Sequence, residues 1–290
     1  MVNYTKRAVK GAATVFFISI LAGFIGYLIR VLFARNLTLE EFGLFYAVLT
    51  LVGLIATFKD LGLGQALVKY IPEFLVKKRK DLIKNSIMTV ALLQFVFAVI
   101  IVAVLFLCSN WLAVNYFHSA AASLIIKLLA IGFLLAIFVD VITYSFQGFQ
   151  NMLYCSLTGL CRMLTILIIA FITFKFGGGL LAPTLAYMLY PVILFVVFYP
   201  VLIRKVFPLF AKIRININKK LTKKLFKFGL PVVVGFAGMI VLGHTDILML
   251  TYFSGLKQVG LYNVALPTAT ILTYFSAAIG TVFFPMFAEL

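Results

Sequence analysis

Eight ionisable side chains interrupt stretches of this sequence that are otherwise almost purely apolar: Arg30, Lys59, Asp60, Lys127, Asp140, Arg162, His244 and Asp246. A charge at the centre of a membrane helix costs about 3 kcal/mol on insertion scales, so such residues face a bundle interior or water and mark candidate sites. Arg162 lies near the middle of its apolar run, too deep to snorkel, and must meet a carboxylate, cavity water or a phosphate. Asp140, on the preceding run, is its candidate salt-bridge partner. Arg30 sits in the last third of the first run, while Lys127 and Lys175 lie near run ends, where a long stem carries the charge to the interface. Lys59 and Asp60 stand side by side near the end of the second run. Lys59 is close enough to reach headgroups; Asp60 is too short for that and needs a partner. Cys108, Cys155 and Cys161 lack paired metal spacing, and His118 and His244 form no ligand motif. No metal, cofactor or covalent chemistry is expected.

The elements that carry these charges are membrane helices. Of 290 residues, 64% are hydrophobic and 11% charged, with a mean hydropathy of +1.16, whereas soluble domains carry about 25% charged residues. Lipid leaves free backbone groups without partners, so only helices and closed barrels span it. Barrel strands would alternate over about 10 residues; here the apolar runs are continuous and reach the roughly 20 residues a spanning helix needs. The sequence predicts an all-α polytopic membrane protein with eight spans, at about 11–32, 43–64, 86–108, 121–147, 153–175, 180–203, 230–252 and 262–287. The first is too long for a signal-peptide core and reads as an uncleaved helix.

Charge sets the orientation. Eighteen basic residues fall in the N-terminal segment, the loop after span two and the stretch 204–227, against Arg35, Lys175 and Lys257 in the opposite loops. The positive-inside rule places the N-terminus and the 204–229 loop in the cytoplasm, in a cell membrane. The net charge of +17 follows from these loops and from attraction to anionic leaflets, so no nucleic-acid partner is expected. In NKKLTKKLFKFGLP (218–231), Leu221, Leu225 and Phe228 share a face against five lysines. That pattern predicts a surface helix with its apolar face in lipid, and Pro231 then reorients the chain into span seven. IPEFLVKKRKDLIKN (71–85) reads as a second, shorter surface helix.

An internal repeat organises the whole. LFARNLTLEEFGLFYAVL (32–49) aligns without gaps on MLTYFSGLKQVGLYNVAL (249–266), a shift of 217 that matches Leu39, Gly43, Leu44 and Leu49 with Leu256, Gly260, Leu261 and Leu266. An even number of spans between copies makes them parallel repeats about an axis along the membrane normal. The expected organisation is a six-helix lobe over 1–203, a basic amphipathic linker over 204–229, and the first two helices of a second lobe over 230–290. About four further helices would complete that lobe, so the chain is expected to be part of a longer protein.

The segments ARNLTLEEFGLFYAVLTL, KDLGLGQALVKYIPEF, HTDILMLTYFSGLKQVGLYNVALP and FFPMFAEL resemble the polysaccharide-biosynthesis flippases of the MOP superfamily, which also holds lipid II flippases and MATE exporters. The resemblance implies two six-helix lobes around a central cavity that flips an isoprenoid-linked oligosaccharide by alternating access. Such a substrate carries a diphosphate, for which the cavity must supply cations. Arg162 and Arg30 are then the candidate substrate-binding residues. Asp140, Asp246, Asp60 and Lys59 are the candidates for ion coupling or gating, with Na+ or H+ as the coupling ion. The rival readings are a MATE-like antiporter of organic cations, a membrane enzyme of the same pathway, and an inactive flippase fragment. Gly62 and Gly64 allow close helix approach and mark the Lys59–Asp60 segment as a structural corner.

The charge bias fixes an experiment. Lys257→Cys is expected to label from outside intact cells and Lys223→Cys to stay protected; the opposite pattern inverts the orientation.

Overall fold

Lipid forces each crossing segment to satisfy its own backbone, and the chain answers with helices throughout. The computed structural model describes residues 4–210, 213, 216 and 218–269, with side chains described from residue 15 onward. In order these are α1 (Tyr4–Asn36), α2 (Leu39–Thr57), α3 (Leu63–Val76), α4 (Lys80–Asn115), α5 (Ala121–Gly148), α6 (Met152–Lys175), α7 (Leu181–Val201), two short turns (Leu202–Val206 and Pro208–Phe210) and α8 (Lys219–Ser254). A further helix, α9, covers 256–269. Seven of the described helices are long and apolar enough to cross a membrane: α1, α2 and α4–α8. The expected eighth span, 262–287, begins within α9, and its remainder lies outside the described residues. We call the end that holds the α2–α3 turn the basic end, and the opposite one the far end.

Helix α5 is the centre, packed on α4, α7, α3 and α2, while α1 packs on α6 and α6 on α7. The outer faces of α1 and α8 keep Phe16, Phe17, Phe24, Val234 and Met239 exposed, as lipid-facing surfaces require. Thr38 caps α2: its hydroxyl accepts from Glu41 N at 3.3 Å, and the Glu41 carboxylate accepts from Thr38 N at 2.9 Å. This reciprocal box satisfies two amides that would otherwise lack a partner.

Three local expectations are corrected. Span two ends at Thr57 rather than near residue 64, and the chain turns through Leu61 and Gly62, both in the left-handed region (φ 46° and 69°), into α3. Only the first half of the expected 71–85 surface helix belongs to α3, because residues 80–85 open the 36-residue α4. Pro231 lies inside an unbroken α8, so it does not separate a surface helix from a span. The apolar face of 219–229 meets protein instead of lipid. Leu221 and Leu225 are buried with Leu67, Tyr70, Ile71 and Phe74 of α3. Lys224 seals this contact, 3.1 Å from Glu73 and 4.3 Å above the Tyr70 ring. Hydrogen bonds from Lys77 and Lys224 hold the Glu73 carboxyl below its ordinary range.

The repeat copies touch each other at the far end. A Cβ on Gly43 would stand 1.9 Å from the Leu256 carbonyl oxygen, and one on Gly260 would stand 2.3 Å from the Leu39 carbonyl oxygen. Shifting by 217 turns Leu39 into Leu256 and Gly43 into Gly260. The contact is therefore reciprocal, the pattern that a two-fold relation produces. Gly43→Ala and Gly260→Ala are each expected to force α2 and α9 apart and destabilise the protein by about 1–3 kcal/mol. Because both act on one seam, the double variant should lose less than the sum. Thermal unfolding in detergent measures both effects.

Candidate functional site

Two chambers lie along the axis of the bundle. The far chamber, about 590 Å³, is lined by Arg30, Tyr46, Arg162, Tyr187, His244 and Asn263 among others. The chamber at the basic end, about 510 Å³, holds Lys59, Asp60, Asp140, Tyr144 and again Arg162. Gly53, Phe133, Arg162 and Tyr190 line both and form the neck between them. Positions 217 residues apart line the far chamber together: Gly26 and Gly243, Arg30 and Ile247, Tyr46 and Asn263, Leu49 and Leu266. Tyr46 and Asn263 of that lining stand one helical turn inside the Gly43–Gly260 seam.

Arg162 projects from the middle of α6, exposed to the cavity and beside the Tyr190 hydroxyl. Among the described residues it belongs to no ion pair, so the expected bridge to Asp140 does not form. Lys59 takes Asp140 instead: its ammonium stands 3.2 Å from Asp140 Oδ2 and donates to the Phe133 carbonyl at 3.0 Å. The Lys59 side chain is 9% exposed and that of Asp140 41%. Lys59 therefore does not reach headgroups; the turn that begins at Phe58 aims it inward at α5.

Asp60 has the partners its length demanded. Its Oδ1 accepts from Gly64 N at 2.9 Å and from the side-chain amide of Gln94, on α4. These bonds fix the corner, where Gly62 lets the backbone of α8 approach: a Cβ there would lie 2.1 Å from the Gly229 carbonyl oxygen. Arg30 stacks over Tyr46 at 4.9 Å and donates from Nη1 to the Asn263 carbonyl at 3.0 Å. It thereby ties the first copy of the repeat to the second, without a carboxylate. Asp246 lines neither chamber and accepts from Tyr262 Oη and from Ile247 N. The cavity thus gathers Arg30, Arg162, Lys59, Asp60 and Asp140 but leaves Asp246 outside.

Sequence reasoning missed Tyr46, Tyr187, Tyr190, Gln94 and Asn263. A signal existed for the tyrosines: a phenol in an apolar run needs a partner for its hydroxyl where phenylalanine would not. Gln94 carried the same signal as an amide inside VALLQFVFAVI.

A helical multi-pass membrane protein with a repeat-related, cation-bearing central cavity is the class defined by this geometry. The chain belongs to the polysaccharide biosynthesis protein family, whose model matches residues 8–290. It is also similar to an uncharacterized membrane protein of Methanocaldococcus jannaschii, with 36% identity over 300 residues covering 99% of this chain. The match takes in 59% of that relative, so the chain spans about three fifths of its length. No solved structure matches the chain.

The Lys59–Asp140 pair yields an asymmetric prediction. Asp140→Asn strands a nearly buried ammonium, whereas Lys59→Met leaves a carboxylate that water already reaches. The first should destabilise more, by about 1–3 kcal/mol after discounting for the exposure of Asp140. Lys59→Met with Asp140→Leu should recover most of the loss, as read by thermal unfolding.

Proposed function

We propose that this chain forms part of a flippase that carries an isoprenoid-linked oligosaccharide across the cell membrane by alternating access. The observation that carries the reading is Arg162, a cavity arginine in no ion pair among the described residues, lining both chambers at their neck. A group that must pass from one chamber to the other meets this guanidinium on the way. A planar fork of N–H donors suits the oxygens of a diphosphate. The sugar head and diphosphate occupy the cavity, and the polyprenyl tail stays in lipid.

In this reading Arg30 is a second contact for the anion, reached in the far chamber. Lys59 and Arg162 together offset Asp60 and Asp140 among the described lining of the basic-end chamber, and Arg162 is the cation there that no carboxylate engages. Rearrangement of the Lys59–Asp140 pair is the gating step, with Na+ or H+ as the coupling ion at the carboxylates. Asp246 serves the α8–α9 contact. The basic end faces the cytoplasm, as the excess of lysine and arginine in its loops favours. An antiporter of organic cations would need free carboxylates along its path; the described lining of the far chamber holds none, and those of the basic-end chamber are engaged by Lys59, Gln94 and the Gly64 amide.

The test uses vesicles reconstituted with the protein and a fluorescent isoprenyl-diphosphate disaccharide. Arg162→Lys is expected to keep partial transport, and Arg162→Ala to lose it at normal membrane level. Full transport by Arg162→Gln in the full-length protein would remove Arg162 from the binding site.

A further inference from the structure

On the lipid side of the bundle, away from the cavity, α1 and α6 enclose a groove of about 420 Å³ lined by Leu28, Val31, Leu32, Arg35, Leu167, Ile168 and Phe171. Its walls are two helical stripes. On α1 the apolar positions 28, 31 and 32 end at Arg35; on α6 positions 167, 168 and 171 end, one turn later, at Lys175, whose ammonium lies 4.8 Å from the Phe171 ring. Each apolar stripe thus runs up to a cation at the far end, and neither cation belongs to an ion pair among the described residues.

Two quantities identify the occupant. Leu28 to Arg35 is about 10 Å of helix rise, and Leu167 to Lys175 about 12 Å. Half of a bilayer's hydrocarbon thickness is about 15 Å. The groove therefore accommodates most of one chain of one leaflet, with the cations at headgroup depth. Charge supplies the second argument. The far-end loops of the sequence carry three basic residues, Arg35, Lys175 and Lys257; Arg35 lines this groove, and Lys175 lies beside the ring of its lining residue Phe171. Cations held against the charge bias of the chain, beside an apolar slot, complement a phosphate that bears an acyl chain.

We propose that the α1–α6 groove is a binding site for one anionic glycerophospholipid of the far-end leaflet, its tail along the two stripes and its phosphate between Arg35 and Lys175. The site is independent of the central cavity and of what that cavity carries. A bound lipid there fills the seam between α1 and α6, the helix that supplies most of the packing of α1.

Native mass spectrometry of the purified full chain in mild detergent tests it, with phosphatidylglycerol, phosphatidylcholine and a long-chain isoprenyl monophosphate each added separately. The wild type is expected to retain one phosphatidylglycerol in preference to the other two. Arg35→Gln with Lys175→Gln should lower that retention about tenfold, the order expected for losing a pair of charge-assisted contacts. Ile168→Trp, which fills the slot from a lipid-exposed position and leaves the charges in place, should lower it as well. Equal retention of phosphatidylcholine, or unchanged retention in either variant with the fold intact by circular dichroism, overturns the site. Preferential capture of the isoprenyl phosphate also overturns it and makes the groove a rest for the carrier lipid.

Discussion

Backbone meets backbone where Gly43 faces the Leu256 carbonyl and Gly260 faces that of Leu39, and the rest of the architecture follows from that contact. Without side chains at these two positions, α2 and α9 close over the axis at the far end. The residues one turn further in, Tyr46 and Asn263, are thereby brought to the wall of the same chamber. The reciprocity at this seam is one of backbones, and the 217-residue correspondence does not extend to the chemistry of the cavity. The shift pairs Arg30 with Ile247 and Tyr46 with Asn263, so Arg30 has no cationic counterpart, while the carbonyl that it binds belongs to Asn263.

Charge is sorted along the axis in a way that no single residue reveals. Both carboxylates of the cavity lie at the basic end, each engaged: Asp140 with Lys59, and Asp60 with Gln94 and the Gly64 amide. The arginines occupy the neck and the far chamber. An unpaired arginine at this depth is costly in hydrocarbon, and here an open cavity with three tyrosines in its wall takes the place of a counter-ion. The same desolvation cost explains why the nearly buried lysine, and not the accessible arginine, holds the aspartate.

What the sequence made legible were the features that repeat or that cost energy over many residues. The spans were visible because each accumulates a large transfer energy, and the 217-residue shift was visible because a Gly-Leu-aromatic opens a helix in both copies. Asp60's need for a partner could be read from its short stem, but Gln94, 34 residues away on another helix, could not be assigned. Arg162 and Asp140 lie on consecutive helices and invite pairing, yet helix rotation about the axis sends Asp140 to Lys59. Lys59 was misplaced because depth along a span says nothing about where the backbone turns, and the turn starts one residue earlier. Leu221, Leu225 and Phe228 showed that 219–229 has an apolar face, but a periodic pattern does not distinguish a lipid cover from α3.

Helix α8 runs unbroken from the α3 contact at the basic end to the neighbourhood of the seam at the far end. At 1.5 Å per residue its 36 residues make a rod about 54 Å long. A rod of that length converts a tilt of about 5° into roughly 5 Å of travel at its tip, about one helical turn. Whatever displaces Lys224 from Glu73 and Tyr70 at one end is therefore carried along the rod to its tip at Ser254, one residue before the Gly255 turn that leads into α9 and the seam. Bending at Pro231, or at the Gly255 break before α9, is where that gearing can slip.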